Sequence, residues 1–261
     1  MSLSQAIFLG FVQGLTEFLP ISSSGHLVFF QSLFKLNEPP IFFDVMLHLG
    51  TLLAVVIYFW KDIWKITEGI GSALKGKEGN REGLILFLWI ILATIPTGLM
   101  GILFKDWFES FFSEPKLVGR MLILTGLVLW LTRFAKKEGK PLGRMVWYDA
   151  ILIGIAQGIA IIPGISRSGA TISTGLFCGL DRELTGKFSF LLSIPAILGA
   201  TLLEYKKMDT ASGIGTILFG TVVAFGVGIL ALTFLMKIIK AGKIFNFSYY
   251  CCGMGLLMII F

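Results

Sequence analysis

Charge is the scarcest commodity in this 261-residue chain: Asp, Glu, Lys and Arg supply 15% of it, against 55% hydrophobic residues. A soluble domain typically carries about 25% charged residues, so this composition excludes a surface that faces water on all sides. Cysteine is scarce as well. Cys178 stands alone, and Cys251 and Cys252 are adjacent within an apolar run, which excludes a disulfide scaffold. No C-x-x-C or histidine-rich pattern points to a zinc site, and histidine occurs only at His26 and His48. The opening Met-Ser-Leu-Ser-Gln has neither the basic n-region nor the cleavage site of a signal peptide. The net charge of +6 lies in short stretches between apolar runs, so it reads as a topology signal and not as a nucleic-acid footprint.

What is present is apolar length. Roughly 20 apolar residues cross a bilayer as a helix, and six stretches approach this: 43–60, 84–104, 117–132, 188–204, 214–236 and 244–261. Segments 5–33 and 147–180 are apolar but interrupted, by Pro20-Ile21-Ser22-Ser23-Ser24-Gly25-His26 and by Pro163-Gly164-Ile165-Ser166-Arg167-Ser168-Gly169. Each half is too short to cross, and a helix, a polar loop and a second helix make the pattern of a re-entrant hairpin. These segments are copies. With Ala6 set on Ala150, an offset of 144, Gly10/Gly154, Gln13/Gln157, Gly14/Gly158, Ser22/Ser166, Ser24/Ser168 and Gly25/Gly169 align without a gap.

The expected fold is therefore an all-α polytopic membrane protein, one integral domain over 1–261. It comprises two repeats, about 1–134 and about 147–261, each a re-entrant helix-loop-helix hairpin followed by three transmembrane helices. Loops 61–83 and 133–146 are rich in Lys and Arg and should be cytoplasmic, together with 181–187 and 237–243; loops 105–116 and 205–213 should face out. Three spans per repeat is odd, so the second copy is inverted, and the two polar loops, entering from opposite faces, meet inside the membrane.

An ionisable group at membrane depth is a functional candidate by default. Arg167, flanked by Ser166 and Ser168 with Gly169 and Thr171 following, has the make-up of a phosphate site: hydroxyls, helix-start amides and a guanidinium fork. The plainer role is an ion pair with Glu17 that cements the two copies. Gln13 and Glu17 share a helix face at i, i+4, and Ser23 and His26 follow Pro20. A carboxylate, a hydroxyl and an imidazole beside an arginine are the parts of a phosphate-ester or anhydride hydrolase. Ser22, Ser23 and Ser24 are equally good helix caps, His48 reads first as a satisfied histidine within a span, and the paired glycines read as helix contacts.

The stretch Gln13-Gly14-Leu15-Thr16-Glu17-Phe18-Leu19-Pro20-Ile21-Ser22-Ser23-Ser24-Gly25-His26, with Pro163-Gly164-Ile165-Ser166-Arg167-Ser168-Gly169-Ala170-Thr171, resembles the two signature motifs of the undecaprenyl-diphosphatase (bacitracin-resistance protein) family. Phe43-Asp44-Val45, Leu49-Gly50-Thr51-Leu52-Leu53-Ala54 and Phe188–Pro195 resemble its flanking segments. The resemblance implies a bacterial inner-membrane enzyme that converts a C55 polyprenyl diphosphate to the monophosphate plus phosphate, recycling the carrier lipid for peptidoglycan. Its active site is expected to open toward the periplasm.

On this reading Glu17, Ser23, His26 and Arg167 are the catalytic set. Gln13, Ser22, Ser24, Ser166, Ser168, Gly169 and Thr171 bind substrate. Ser23 is the leading nucleophile and His26, through a phosphohistidine, the alternative. The partners are the polyprenyl diphosphate and membrane lipid, with a homodimer left open. Mg²⁺ or Ca²⁺ bridging the diphosphate and Glu17 suits oxygen-only ligands, and no organic cofactor is called for. The rival is a transporter or flippase, because inverted repeats with broken helices also build secondary transporters.

Overall fold

The computed structural model describes residues 1–34, 41–77, 79–111, 114–136, 138–204 and 214–260. Throughout these the ordered elements are helical: α1 (Leu3–Phe18), α2 (Ser23–Leu33), α3 (Ile41–Tyr58), α4 (Trp60–Leu74), α5 (Arg81–Leu103), α6 (Lys105–Ser110), α7 (Pro115–Leu131), α8 (Trp147–Ile159), α9 (Arg167–Phe177), α10 (Arg182–Glu204), α11 (Ile214–Lys240) and α12 (Phe247–Ile260). Both interrupted segments form the expected pair of short helices. At 1.5 Å per residue the 16 residues of α1 reach about 24 Å, and α2, α8 and α9, with 11, 13 and 11 residues, reach less. None of the four spans about 30 Å of hydrocarbon alone.

Among the described residues four helices are long and apolar enough to cross a membrane, namely Arg81–Leu103, Pro115–Phe134, Arg182–Leu203 and Ile214–Lys240, or five if α3 and α4 count as one span. That corrects the six expected stretches in two places. The stretch 43–60 qualifies only together with α4, across a 74° bend, and the apolar segment Ile244–Ile260 is too short. Two expected loops are also corrected. Most of 61–83 is α4, whose exposed Trp60 and Trp64 alternate with Lys61 and Lys65 in the manner of an interfacial helix. Within 181–187, all but Asp181 belongs to α10, because Asp181 accepts hydrogen bonds from the amides of Glu183 and Leu184 and so starts the helix there. The expected outer loop 205–213 lies outside the described residues.

Glycine lets the helices pack backbone to backbone, as is usual where lipid supplies no hydrophobic drive for association. A Cβ on Gly10 would sit 2.3 Å from the Gly220 carbonyl oxygen, and one on Gly14 2.6 Å from that of Ala224, so α1 runs parallel to α11. A Cβ on Gly154 would meet the Ala93 carbonyl oxygen at 2.1 Å and one on Gly158 would meet Met100, so α8 runs parallel to α5. One end of the molecule gathers charge. There the start of α4, with Asp62, meets the start of α10 through Lys187 (2.7 Å), and the end of α11, with Lys240, meets Glu183 (2.9 Å). Glu82 at the start of α5 lines the same small cavity as Asp62, Asp181 and Lys187. Hence α11 and α1 run toward this end, while α5 and α8 run away from it.

The two interrupted loops touch reciprocally. Gly25 packs toward Gly164, and Gly169 toward Pro20, the same two aligned positions with the copies exchanged. The helix entries match as well: Gln5 caps the Ser2 amide at 2.7 Å, and Asp149, 144 residues on, caps that of Val146 at 2.9 Å.

Gly154→Leu forces α8 off α5 and should cost roughly 1–3 kcal/mol, as overpacking does. Gly253→Leu, where nothing lies within 4 Å of the added carbon, should change little. Thermal unfolding of the two variants in detergent makes the comparison; equal midpoints would contradict the packing role.

Candidate active site

The loops bring two helix starts together. Ser22 caps α2 by accepting from the Gly25 amide at 3.3 Å, and Ser166 caps α9 by accepting from the Gly169 amide at 3.1 Å. The flanking hydroxyls follow suit: Ser24 lies 3.3 Å from Ser22, and Ser168 lies 3.2 Å from Ser166. The first residues of the two helices are then Ser23 and Arg167, which occupy the same aligned position in the two copies. Both reach one carboxylate. Arg167 donates from Nη2 to Glu17 Oε1 at 2.6 Å, Ser23 donates from Oγ to Glu17 Oε2 at 2.6 Å, and Gln13 Nε2 donates to Oε2 at 3.1 Å.

The expected ion pair is thus present and buried, with side-chain exposures of 7% for Glu17 and 17% for Arg167. Its geometry exceeds what a bare structural pair requires. Arg167 Nη1 is buried without a partner among the described residues, a guanidinium donor left over for an anion. Ser22 also adopts φ 67°, a left-handed value unusual for a residue with a side chain. A departure of that kind costs about 1–3 kcal/mol and concentrates at functional sites. It turns the Ser22 carbonyl toward His26 Nδ1, 2.8 Å away.

His26 does not join the Glu17 cluster. A carbonyl oxygen only accepts, so Nδ1 carries the ring proton and Nε2 accepts from the Tyr250 hydroxyl at 2.7 Å. The two rings lie nearly parallel, 8° apart. Both face an apolar crevice of about 770 Å³ that Phe11, Leu15 and Phe234 help to line. Ser168 donates to the Leu19 carbonyl, tying loop to loop, and Thr171 donates to the Arg167 carbonyl and lies 2.5 Å from Ser189 on α10. These hydroxyls and Gly169 therefore build the loop that carries Arg167.

Two partners escaped the sequence reading. His48 of α3 enters the cluster, with Nδ1 3.0 Å from Gln13 Nε2 and 3.5 Å from Glu17 Oε2. Its position within an apolar run was the available signal. Tyr250 offered none, since a tyrosine near a helix start reads as an interfacial anchor. Among the described residues no group of three or more His, Cys, Asp or Glu is placed to hold a metal, and both Glu17 oxygens are already engaged.

A buried ion pair enclosed where two pairs of short helices meet, inside a bundle of long apolar helices, defines a class: an all-helical, multi-pass membrane protein with a polar centre. Within that class, the chain belongs to the bacitracin resistance protein BacA family, which it matches over residues 6–257. It is 47% identical to an undecaprenyl-diphosphatase of Desulfosudis oleivorans, covering 96% of this chain and 95% of the relative. It is 46% identical to one of Treponema denticola (98% and 96% covered) and 45% identical to one of Desulforapulum autotrophicum (100% and 98%).

Removing one member of a buried ion pair costs about 3–5 kcal/mol because the other charge stays buried and unpaired, whereas an exposed pair is worth about 0–1 kcal/mol. Glu17→Ala should therefore lower stability far more than Glu183→Ala, whose partner Lys240 is half exposed. Denaturation of both variants in detergent checks this, and similar losses would remove the energetic distinction between the pairs.

Proposed function

We propose that the chain hydrolyses undecaprenyl diphosphate to undecaprenyl phosphate and inorganic phosphate, recycling the carrier lipid of peptidoglycan synthesis. The observation that carries this reading is the convergence of Ser23 and Arg167 on Glu17: a hydroxyl bonded to a base, beside a guanidinium with a donor to spare. Ser23 Oγ attacks the terminal phosphorus as Glu17 takes its proton. The anhydride bond breaks, and its electron pair leaves on undecaprenyl phosphate. Arg167 and the starts of α2 and α9 stabilise the charge spread over the transferring phosphoryl group. Water activated by Glu17 then releases phosphate from Ser23.

The seryl route is favoured over attack by His26 because the His26 lone pair is occupied by Tyr250 and turned into the apolar crevice. The isoprenoid tail lies in that crevice, where each buried CH₂ contributes about 0.8 kcal/mol. Ser22, Ser24, Ser166, Ser168, Gly169 and Thr171 shape the cradle for the headgroup. Mg²⁺ or Ca²⁺ would take its ligands mainly from the diphosphate, and among the described residues Glu17, whose oxygens already hold Ser23, Gln13 and Arg167, is the carboxylate of this cluster. Membership of a family whose relatives bear a hydrolase name argues against the transporter reading.

The architecture proposed is an inverted duplication in the bacterial inner membrane, with the site open to the periplasm. The exchanged contacts Gly25 to Gly164 and Gly169 to Pro20 support it, because a two-fold relation makes each copy meet the other through the same positions. So do the opposite directions of α1 and α8. The Lys- and Arg-rich charge near 61–83 and 133–146 assigns the charged end to the cytoplasm. In intact cells, an impermeant thiol reagent should then label a cysteine placed in 105–111 and spare one in 133–136. The reverse pattern would overturn the orientation.

Phosphate release from undecaprenyl diphosphate by the purified chain in detergent tests the activity directly, since no gradient exists there. Ser23→Ala should leave only trace turnover, and a trapped phosphoryl adduct should be acid-stable. An acid-labile, base-stable adduct would transfer the nucleophilic role to His26.

A further inference from the structure

His48 is the member of the Glu17 cluster that the proposed reaction leaves without a task. Gln13 Nε2 donates to Glu17 Oε2, so it is the NH₂ side of the amide that also faces His48 Nδ1, 3.0 Å away. Nδ1 therefore accepts and carries no proton. Its lone pair is turned toward Gln13 and lies 3.5 Å from the Glu17 oxygen that holds Ser23. His48 is the less enclosed of the two: its side chain is 33% accessible, that of Glu17 only 7%.

Attack by Ser23 leaves a proton on Glu17 that must depart before Glu17 can activate water. Of the groups that touch Glu17, Arg167 holds its charge permanently and Gln13 and Ser23 do not take up a proton near neutral pH. Histidine does. On the reading of Glu17 as base and Ser23 as nucleophile, we propose that His48 relays this proton to water. As the Ser23 Oγ–P bond forms and the anhydride P–O bond breaks, the Ser23 proton passes to Glu17 Oε2 and from there to His48 Nδ1. The imidazolium releases its Nε2 proton to water, and the ring regains its starting tautomer by exchange with water. Gln13 Oε1, buried and without a partner, is the acceptor that amide rotation would offer to the protonated Nδ1.

The charged surroundings leave His48 as the proton carrier. Glu17 faces it from α1, with Arg167 of α9 behind, and Asp44 lies one turn earlier on α3, held by Gln31 of α2 at 2.9 Å. From α11, Thr221 packs on α3 beside Gly50. Among the described residues, the ion pairs that α10 and α11 make through Lys187 and Lys240 lie at the charged end, as does Asp62 of α4.

His48 acts through Glu17 and does not touch the headgroup, so its loss should lower kcat and leave KM within about twofold. The fall expected is about 100-fold, the low end of the range for acid-base groups. His48 can receive the proton only while Nδ1 carries none, so wild-type kcat should fall on acidification. His48→Gln, which keeps an amide in place of the ring, should lose that acid limb. In His48→Ala, added imidazole should restore turnover in proportion to its concentration. Unchanged kcat in His48→Gln, or a loss that imidazole does not reverse with the wild-type pH profile retained, would overturn the relay. Glu17→Gln run in parallel separates the two levels. An active Glu17→Gln would sink the reading of the site, whereas an inactive one beside fully active His48 variants would sink the relay alone.

Discussion

The buried pair between Glu17 and Arg167 is the constraint on which the rest of the structure turns. None of α1, α2, α8 and α9 is long enough to cross a membrane alone, and each pair is interrupted by polar backbone that must find partners within the protein. Bringing the loops together lets each satisfy the other. Ser168 donates to the Leu19 carbonyl and Arg167 meets Glu17 at 2.6 Å, while Thr125 of α7 donates to the Gly164 carbonyl. Desolvating two charges costs several kcal/mol per ion, and the pair recovers this only where further hydrogen bonds complete the carboxylate. Ser23 and Gln13 supply them.

Helix packing fixes where the loops meet. In lipid, apolar side chains gain little by leaving the bilayer for a partner helix, so close approach at small residues carries the association. Gly10 and Gly14 let α1 lie against α11, and Gly154 lets α8 lie against α5. Each hairpin is thereby anchored on a long helix of the other half, and the loop positions follow from rigid elements and not from the loops themselves. A shift of one turn on either anchor would move a helix start by about 5 Å and part Ser23 from Arg167.

Divergence of the copies is as informative as their likeness. The aligned position that is Ser23 in one is Arg167 in the other, and the single carboxylate between them comes from α1 alone, since Ile161 stands at the equivalent place in the second copy. Gln13 serves Glu17, whereas its counterpart Gln157 donates to Thr97 at 3.3 Å within a helix contact. The first pair of short helices thus contributes the hydroxyl and the carboxylate, the second the guanidinium. Neither half could assemble the site without its counterpart.

By itself the sequence determined the membrane class, the two interrupted segments and the residues Gln13, Glu17, Ser23 and Arg167, because apolar length, broken periodicity and ionisable groups within apolar runs are local signals. It also determined the family, through motifs that are contiguous in the chain. What only tertiary structure decided was company. His26 and Ser23 are three residues apart, yet Ser23 faces Glu17 while His26 faces Tyr250, 224 residues away, because the turn at Ser22 aims the ring into the crevice. His48, an unremarkable histidine within an apolar run, becomes a neighbour of Glu17 through the approach of α3 to α1. Equally, the apolar run of α3 does not announce the 74° bend at which α4 leaves it. Hydropathy records how apolar a stretch is; which side chains share a carboxylate is set by helix directions and contacts that no local pattern encodes.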